Sequence, residues 1–185
     1  MSFLTVTAAR AAAGTTSLEH AEKSLRASAG AADDATFDVF LSHCIRDARA
    51  IEGVRQLLMR VGLTVYVDWI EDPGMGRSRV TVATAQRLRT RMQNSRSLIF
   101  ATSEASPDSK WMPWELGFFD GFRSSRVAVL PLVESADETF HGQEYLRLYP
   151  KLEDIGFGLP KLGFKLGDGR QFDVPAFIRE GVILK

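Results

Sequence analysis

Trp111 and Glu115 stand four residues apart in the run Trp111-Met112-Pro113-Trp114-Glu115. On a helix this spacing sets an indole and a carboxylate side by side on one face. Trp114, Phe118 and Phe122, also four apart, form a second stripe that faces another way. An aromatic ring can hold a planar ligand, and a carboxylate shielded from water beside it stabilises a developing cation more strongly than it would in solvent. Spacing alone fits equally well a first-turn glutamate favoured by the helix dipole, with Trp114 in the core.

Other candidates for chemistry fall just after short apolar runs: Ser42-His43-Cys44, then Asp68-Trp69, then Thr102-Ser103-Glu104. Cys44 is the one cysteine of the chain, so it forms no intrachain disulfide, and no Cys/His spacing suggests a metal. No base partner activates it in sequence, and inert packing is the simpler reading. Arg77, Arg79, Arg87, Arg89, Arg91 and Arg96 read as a solvated face or as a surface for phosphates or an acidic neighbour. Gly74-Met75-Gly76 does not follow the first strand and reads as loop flexibility rather than a dinucleotide fingerprint.

The elements that must position these groups alternate. Apolar runs at Phe37–Leu41, Thr64–Val67, Ser97–Thr102 and Val127–Val133 are separated by segments of helical period, the pattern of a βαβ series with a parallel sheet. Ile51, Val54, Leu57, Leu58 and Val61 mark one crossover helix, with Gly62 placed for a left-handed cap. Val82, Ala85, Leu88 and Met92 mark a second, and Pro113 must lie in the first turn of a third. In such doubly wound sheets, ligands bind outside the carboxyl ends of the strands, where the strand order reverses. The three polar loops named above all follow strands.

The expected organisation is a single α/β domain over residues 36–160, an N-terminal arm over 1–35 and a tail over 161–185 packed on the domain. Thr16-Ser17-Leu18-Glu19 offers a capping box for a helix with Leu18, Ala21 and Leu25 on one face. One more helix is expected around Gln143 to Leu152, followed by an irregular tail.

With 185 residues, 45% of them hydrophobic, the chain can bury a real core. Lys plus Arg equals Asp plus Glu at 23 each, which argues against a nucleic-acid partner. No basic, apolar leader opens the chain, and no run reaches the roughly 20 apolar residues that span a bilayer. A cytoplasmic protein is expected, with no membrane partner.

Phe37-Asp38-Val39-Phe40-Leu41-Ser42-His43 resembles the first strand of TIR (Toll/interleukin-1 receptor) domains, whose core reads Asp-Val-Phe-hydrophobic-Ser. Val65-Tyr66-Val67-Asp68 resembles their second strand, which leads into a long variable loop. Trp111-Met112-Pro113-Trp114-Glu115-Leu116 is similar to the Trp-x-x-x-Glu pattern of the enzymatic members, and Val127 to Val133 to the strand after it. The resemblance runs from Phe37 to Val133, in order, and is greatest to stand-alone bacterial TIR proteins. His43 stands where several members carry an aromatic or another polar residue.

The resemblance implies a flavodoxin-like doubly wound sheet, self-association, and cleavage of the nicotinamide–ribose bond of NAD+. The products would be nicotinamide and ADP-ribose or a cyclic ADP-ribose signal read by a downstream effector, as in Thoeris-like antiphage defence. NAD+ would be substrate rather than cofactor, and no cofactor or metal is expected. Glu115 would be the catalytic carboxylate, and Trp111, Ser42, His43, Asp68 and Trp69 would bind substrate. Loop or cap roles for Ser42, exposure for His43 and turn formation for Asp68 compete with those assignments. Two other functions stay open: a non-catalytic interaction module assembling through the 68–79 loop, and a nucleoside deoxyribosyltransferase-like N-glycosidic enzyme.

Overall fold

Runs of β-branched and aromatic residues generate five strands: β1 (Leu4–Thr5), β2 (Phe37–His43), β3 (Val65–Val67), β4 (Ser95–Thr102) and β5 (Val127–Val133). They lie in the order β1-β5-β4-β2-β3, every neighbouring pair parallel. All seven residues of β5 are buried, as a strand covered on both faces requires. The structure is a computed structural model that describes residues 2–29, 32, 34–43, 48–67, 81–103, 109 and 111–181.

Connections of one hand decide which helix covers which face. The chain moves from β2 outward to β3, then back past β2 to β4 and on to β5. The outward and the returning crossovers therefore lie on opposite sides of the sheet. Helix α3 (Ala48–Arg60) packs with Val39, Leu41, Ile99 and Leu130 on one face. Helices α4 (Val82–Gln93) and α5 (Met112–Arg123) pack with Phe40, Leu98, Phe100 and Val129 on the other. This is the parallel sheet expected from the alternation, in the doubly wound, flavodoxin-like form that the TIR resemblance implied. Gly62, after α3, takes the left-handed backbone (φ 83°) that its position required.

Several helical stripes depart from expectation: Leu18, expected inside with Ala21 and Leu25, is 56% exposed, and Val61, just past the end of α3, is 38% exposed. In α4, Leu88, Arg91 and Met92 are inside, and Val82, at the first turn, is 87% exposed. In α5 the sheet-facing residues are Met112, Leu116 and Phe119 together with Glu115. The Trp114, Phe118 and Phe122 stripe lies on the flank toward α4, with the Arg89 guanidinium 5.5 Å from the Trp114 ring. Two apolar stripes share this helix, and only contact with the sheet separates core from flank.

The N-terminal segment is built into the sheet. Strand β1 pairs with the outer edge of β5, and helices α1 (Val6–Ala12) and α2 (Leu18–Ala29) cover the α3 face, burying Ala9, Ala21 and Leu25 completely. Thr5 caps α1, its hydroxyl accepting from Ala8 N at 3.0 Å. Ser17 caps α2, its hydroxyl accepting from His20 N at 3.2 Å, one residue later than a box begun at Thr16 would place it. Helices α1 and α3 touch through backbone: a Cβ at Gly53 would lie 1.7 Å from the Ala9 carbonyl oxygen.

Regular structure continues where an irregular tail was expected. The helix anticipated near Gln143 is a single 3-10 turn, Glu144–Leu148. Strands β6 (Glu153–Asp154), β7 (Leu162–Lys165) and β8 (Gln171–Asp173) form an antiparallel sheet, and α6 (Val174–Glu180) follows. Strands of two to four residues are too short to leave a period in sequence. Leu152, Phe164, Val174 and Phe177 join the core on the α3 face.

Candidate active site

The strand order reverses between β2 and β4, whose following helices lie on opposite faces of the sheet. The crevice at the carboxyl ends of these two strands is where such folds bind ligands. Successive side chains on a strand face opposite ways. Phe40 belongs to the α5 face, so Ser42 points to α5, and His43, in step with Leu41, turns toward the α3 face. Both are buried, at 0% and 5% exposure.

Glu115 reaches the crevice because of where α5 begins. Pro113 occupies its first turn, Ser109 Oγ accepts from Met112 N at 3.3 Å, and Glu115 N donates to Trp111 O at 2.8 Å. The first turn therefore carries Glu115 on the inward face, 3% exposed. Ser42 Oγ donates to Glu115 Oε2 at 2.5 Å, a short hydrogen bond of the kind a carboxylate acceptor gives.

Two other buried carboxylates are bound differently. Glu52 on α3 lies 3.2 Å from the Arg55 guanidinium and accepts from Gln56 Nε2 at 2.6 Å. Glu153 lies 3.9 Å from Lys165 Nζ and accepts from Ser2 N at 3.2 Å. Each of those pairs with a cation: Glu52 within its own helix, and Glu153 across separate segments of the chain. At Glu115 the described partner is instead a hydroxyl, which orients the carboxylate.

Trp111 is half-buried at the N-terminal boundary of α5. Its ring meets Trp114 edge-on at 5.3 Å, and Trp114 stacks on Phe118 at 5.8 Å. The ring is thus held from the flank at the mouth of the helix that carries Glu115. Further along α5, the Tyr149 hydroxyl is pushed up to about 12, first by burial and then by the Asp120 carboxylate it bonds.

The arginines divide by environment. Arg87 is exposed, while Arg89 covers Trp114 and Phe118. Arg91 is 2% exposed, lies 5.5 Å from the Tyr66 ring and donates to the Ala32 carbonyl. That burial replaces a solvated-face reading at this position. Arg96 pairs with Asp38 at 3.3 Å.

Of the sequence-derived site residues, the structure brings Ser42 and Glu115 into direct contact, places Trp111 at the head of the same helix, and turns His43 to the opposite face. Asp68 and Trp69 lie outside the described residues, as do Cys44, Gly74-Met75-Gly76, Arg77 and Arg79. The Ser42–Glu115 bond itself was not foreseen. Its signal was available, because Ser42 shares a strand face with Phe40 and that face meets α5. Among the described residues, no group of three His, Cys, Asp or Glu side chains could hold a metal ion. None of the described helices is long and apolar enough to cross a membrane.

Over 115 residues, 62% of its length, the chain is 53% identical to a protein of Bacillus cereus (strain MSX-D12) named "Probable 3' cyclic ADP-D-ribose synthase ThsB'". Over 83 residues, 44% of its length, it is 28% identical to a Cytobacillus dafuensis protein named "Putative cyclic ADP-D-ribose synthase TIR2". The chain spans 59% of the length of the first relative and 22% of the second. No protein-family model matches it. The chain is thus similar to two bacterial proteins named as cyclic ADP-D-ribose synthases, one of them with TIR in its name, and it has the parallel sheet that the TIR resemblance implies.

Proposed function

We propose that this protein cleaves the nicotinamide–ribose bond of NAD+ and closes the ADP-ribose portion into a cyclic product, with Glu115 as the catalytic carboxylate. The observation that carries this reading is the Glu115 carboxylate buried at the switch point of the sheet, on the face toward which Ser42 points. A glutamate present only to complement the helix dipole gains nothing from burial, since taking a carboxylate out of water costs free energy.

The C1′–N bond breaks with its electron pair passing to the pyridinium nitrogen, so nicotinamide leaves neutral and needs no proton from the protein. What remains is an oxocarbenium-like ribosyl centre. Glu115 supplies the negative charge that stabilises it, in a water-poor site where such stabilisation is strong. Trp111 packs against the nicotinamide riboside, and Asp68 and Trp69, at the exit of β3, complete the contacts to substrate. A nucleophile within the ADP-ribose portion then attacks C1′ and loses its proton, closing the ring; attack by water gives ADP-ribose instead. The names of both relatives favour ring closure.

The same reading puts the protein in the cytoplasm, where NAD+ is available, as an assembly of several copies. Its product is the signal for a downstream effector in antiphage defence. The motif resemblance supports these assignments.

The test is incubation of the concentrated protein with NAD+, followed by chromatography and mass spectrometry. Nicotinamide and a product lighter than ADP-ribose by one water are expected. ADP-ribose alone would replace cyclisation by hydrolysis. Turnover of free nucleosides with NAD+ left intact would replace this reading by a nucleoside-transferring one.

A further inference from the structure

We infer that the tip of the β6–β7 hairpin, Phe157 and Leu159, docks into a cavity beside α6 of a second copy of this chain, joining copies head to tail. The inference deepens the self-association proposed above, on which it rests, and is independent of the chemistry at Glu115.

Phe157 is fully exposed, the most exposed large apolar side chain among the described residues, and Leu159 is 75% exposed. Single apolar side chains on a surface are ordinary. These two, however, are carried by a loop that is built to hold them out. Asp154 Oδ1 accepts from Gly156 N at 2.9 Å and from Lys161 N at 3.0 Å, and Ile155 N donates to Lys161 O at 2.8 Å. A Cβ at Gly156 would lie 2.0 Å from the Leu159 carbonyl oxygen, and Gly158 takes the left-handed backbone (φ 85°). A loop pinned in this way does not fold its ring back onto its own chain. Its apolar tip meets a partner without the ordering cost that a mobile loop carries.

The same chain carries a recess that suits the tip. A cavity of about 320 Å³ is lined by Leu166, Phe172 and Ala176, with the exposed Arg170, Gln171 and Glu180 completing it. Apolar cavities of roughly 150 Å³ already admit a benzene ring, so this one has room for the Phe157 ring and part of Leu159. Apolar contacts surrounded by polar ones are the anatomy of a protein interface. Tip and cavity lie at opposite ends of β7. Lys161, beside the tip, meets Asp173 at 3.5 Å, whereas Leu166 and Arg170 close the far turn, Leu166 N donating to Arg170 O at 2.9 Å. One copy therefore does not fill its cavity with its own tip. A projection and its receptor on different parts of one surface make a heterologous contact, which repeats from copy to copy into a ring or a filament. Two side chains bury too little area for a permanent interface, so the contact is weak and depends on concentration.

The test is sedimentation velocity from about 1 µM to about 1 mM protein, with every variant first shown to be folded by its thermal transition. The wild type is expected to grow in mass with concentration. The double substitution Phe157→Ser, Leu159→Ser removes the tip, and Ala176→Trp fills the cavity; each should weaken association at least about 10-fold. Leu166→Glu serves as the cavity variant if Ala176→Trp does not fold. Mixing a tip variant with a cavity variant decides the geometry. One intact tip then meets one intact cavity, so the mixture should form a two-chain species and nothing larger. A mixture that stays monomeric, or a tip variant that associates like the wild type, would overturn the proposal. Loss of association in the tip variant with the cavity variants unaffected would also overturn it, by sending the tip to another surface. A wild type that is monomeric throughout removes self-association together with this surface, whereas a wild type whose association none of these substitutions changes removes the surface alone.

Discussion

The crevice between β2 and β4 and the outer edge of β5 solve opposite problems with opposite means. At the crevice, polar side chains are buried against each other: Ser42, at 0% exposure, and Glu115, at 3%, meet through one short bond. At the edge, backbone groups are paired for stability. Val129 N donates to Pro150 O at 2.9 Å and Leu152 N to Val129 O at 2.8 Å, while Leu4–Thr5 pairs with Leu132–Val133. Asp154 N donates to Ser2 O at 2.8 Å, joining the two covering segments to each other. An open edge is a site for unwanted pairing, and this one is closed by segments about 150 residues apart in the chain. With the proposed chemistry at Glu115, the difference predicts that activity and stability reside in separable parts of the molecule, and substitutions should divide accordingly.

The largest effect expected is at the crevice. Glu115→Gln keeps the volume and removes the charge, so NAD+ cleavage should fall by about 10³-fold, while the thermal midpoint stays level or rises. A variant that lost both together would break the comparison.

Gly53→Ala should do the reverse. Alanine in place of a mid-helix glycine gains about 1 kcal/mol in propensity, but its Cβ would meet the Ala9 carbonyl at 1.7 Å. Separating two packed backbones costs about 3 kcal/mol. A net loss of roughly 2 kcal/mol is expected in denaturant unfolding, with kcat little changed in the fraction that is folded.

Arg126→Ala should cost less. Its guanidinium donates to the carbonyls of Phe177 (2.7 Å), Ile178 and Arg179 (2.9 Å) at the end of α6. Half-buried charged bonds to a helix C-terminus suggest about 1–2 kcal/mol, measured by the same unfolding experiment. Hydrogen exchange should show α6 loosening before the central strands.

The smallest effect is confined to alkaline pH. Tyr149 is held protonated in the fold to about 12, above its ordinary 10.0. Its contribution is therefore complete below pH 10 and is lost as pH rises through about 12. Phenolate absorbance should show a late-titrating tyrosine among the three in the chain, and Tyr149→Phe should remove that phase.

Sequence legibility divides along the same line. The central strands and crossover helices were readable because long β-branched runs and 3.6-residue stripes are local signals. Glu115 was readable as a candidate because Pro113 fixes the first turn of its helix. The inner face of α5 was not, since Met112-Leu116-Phe119 and Trp114-Phe118-Phe122 are equally apolar stripes and only the sheet chooses between them. The composite edge was hidden for a stronger reason. Leu4–Thr5 and Glu153–Asp154 are two-residue strands with no period, and each is defined by a partner far away in sequence. His43 was grouped with Ser42 by adjacency, although on a strand adjacency sends two side chains to opposite faces.

The most direct test of the central claim is the rate of nicotinamide release from NAD+ by wild-type protein and by Glu115→Gln, at equal concentration and with matched thermal midpoints. Release by the wild type that falls about 10³-fold in the variant is the result expected if Glu115 carries the chemistry. Equal rates in two equally stable proteins would contradict it.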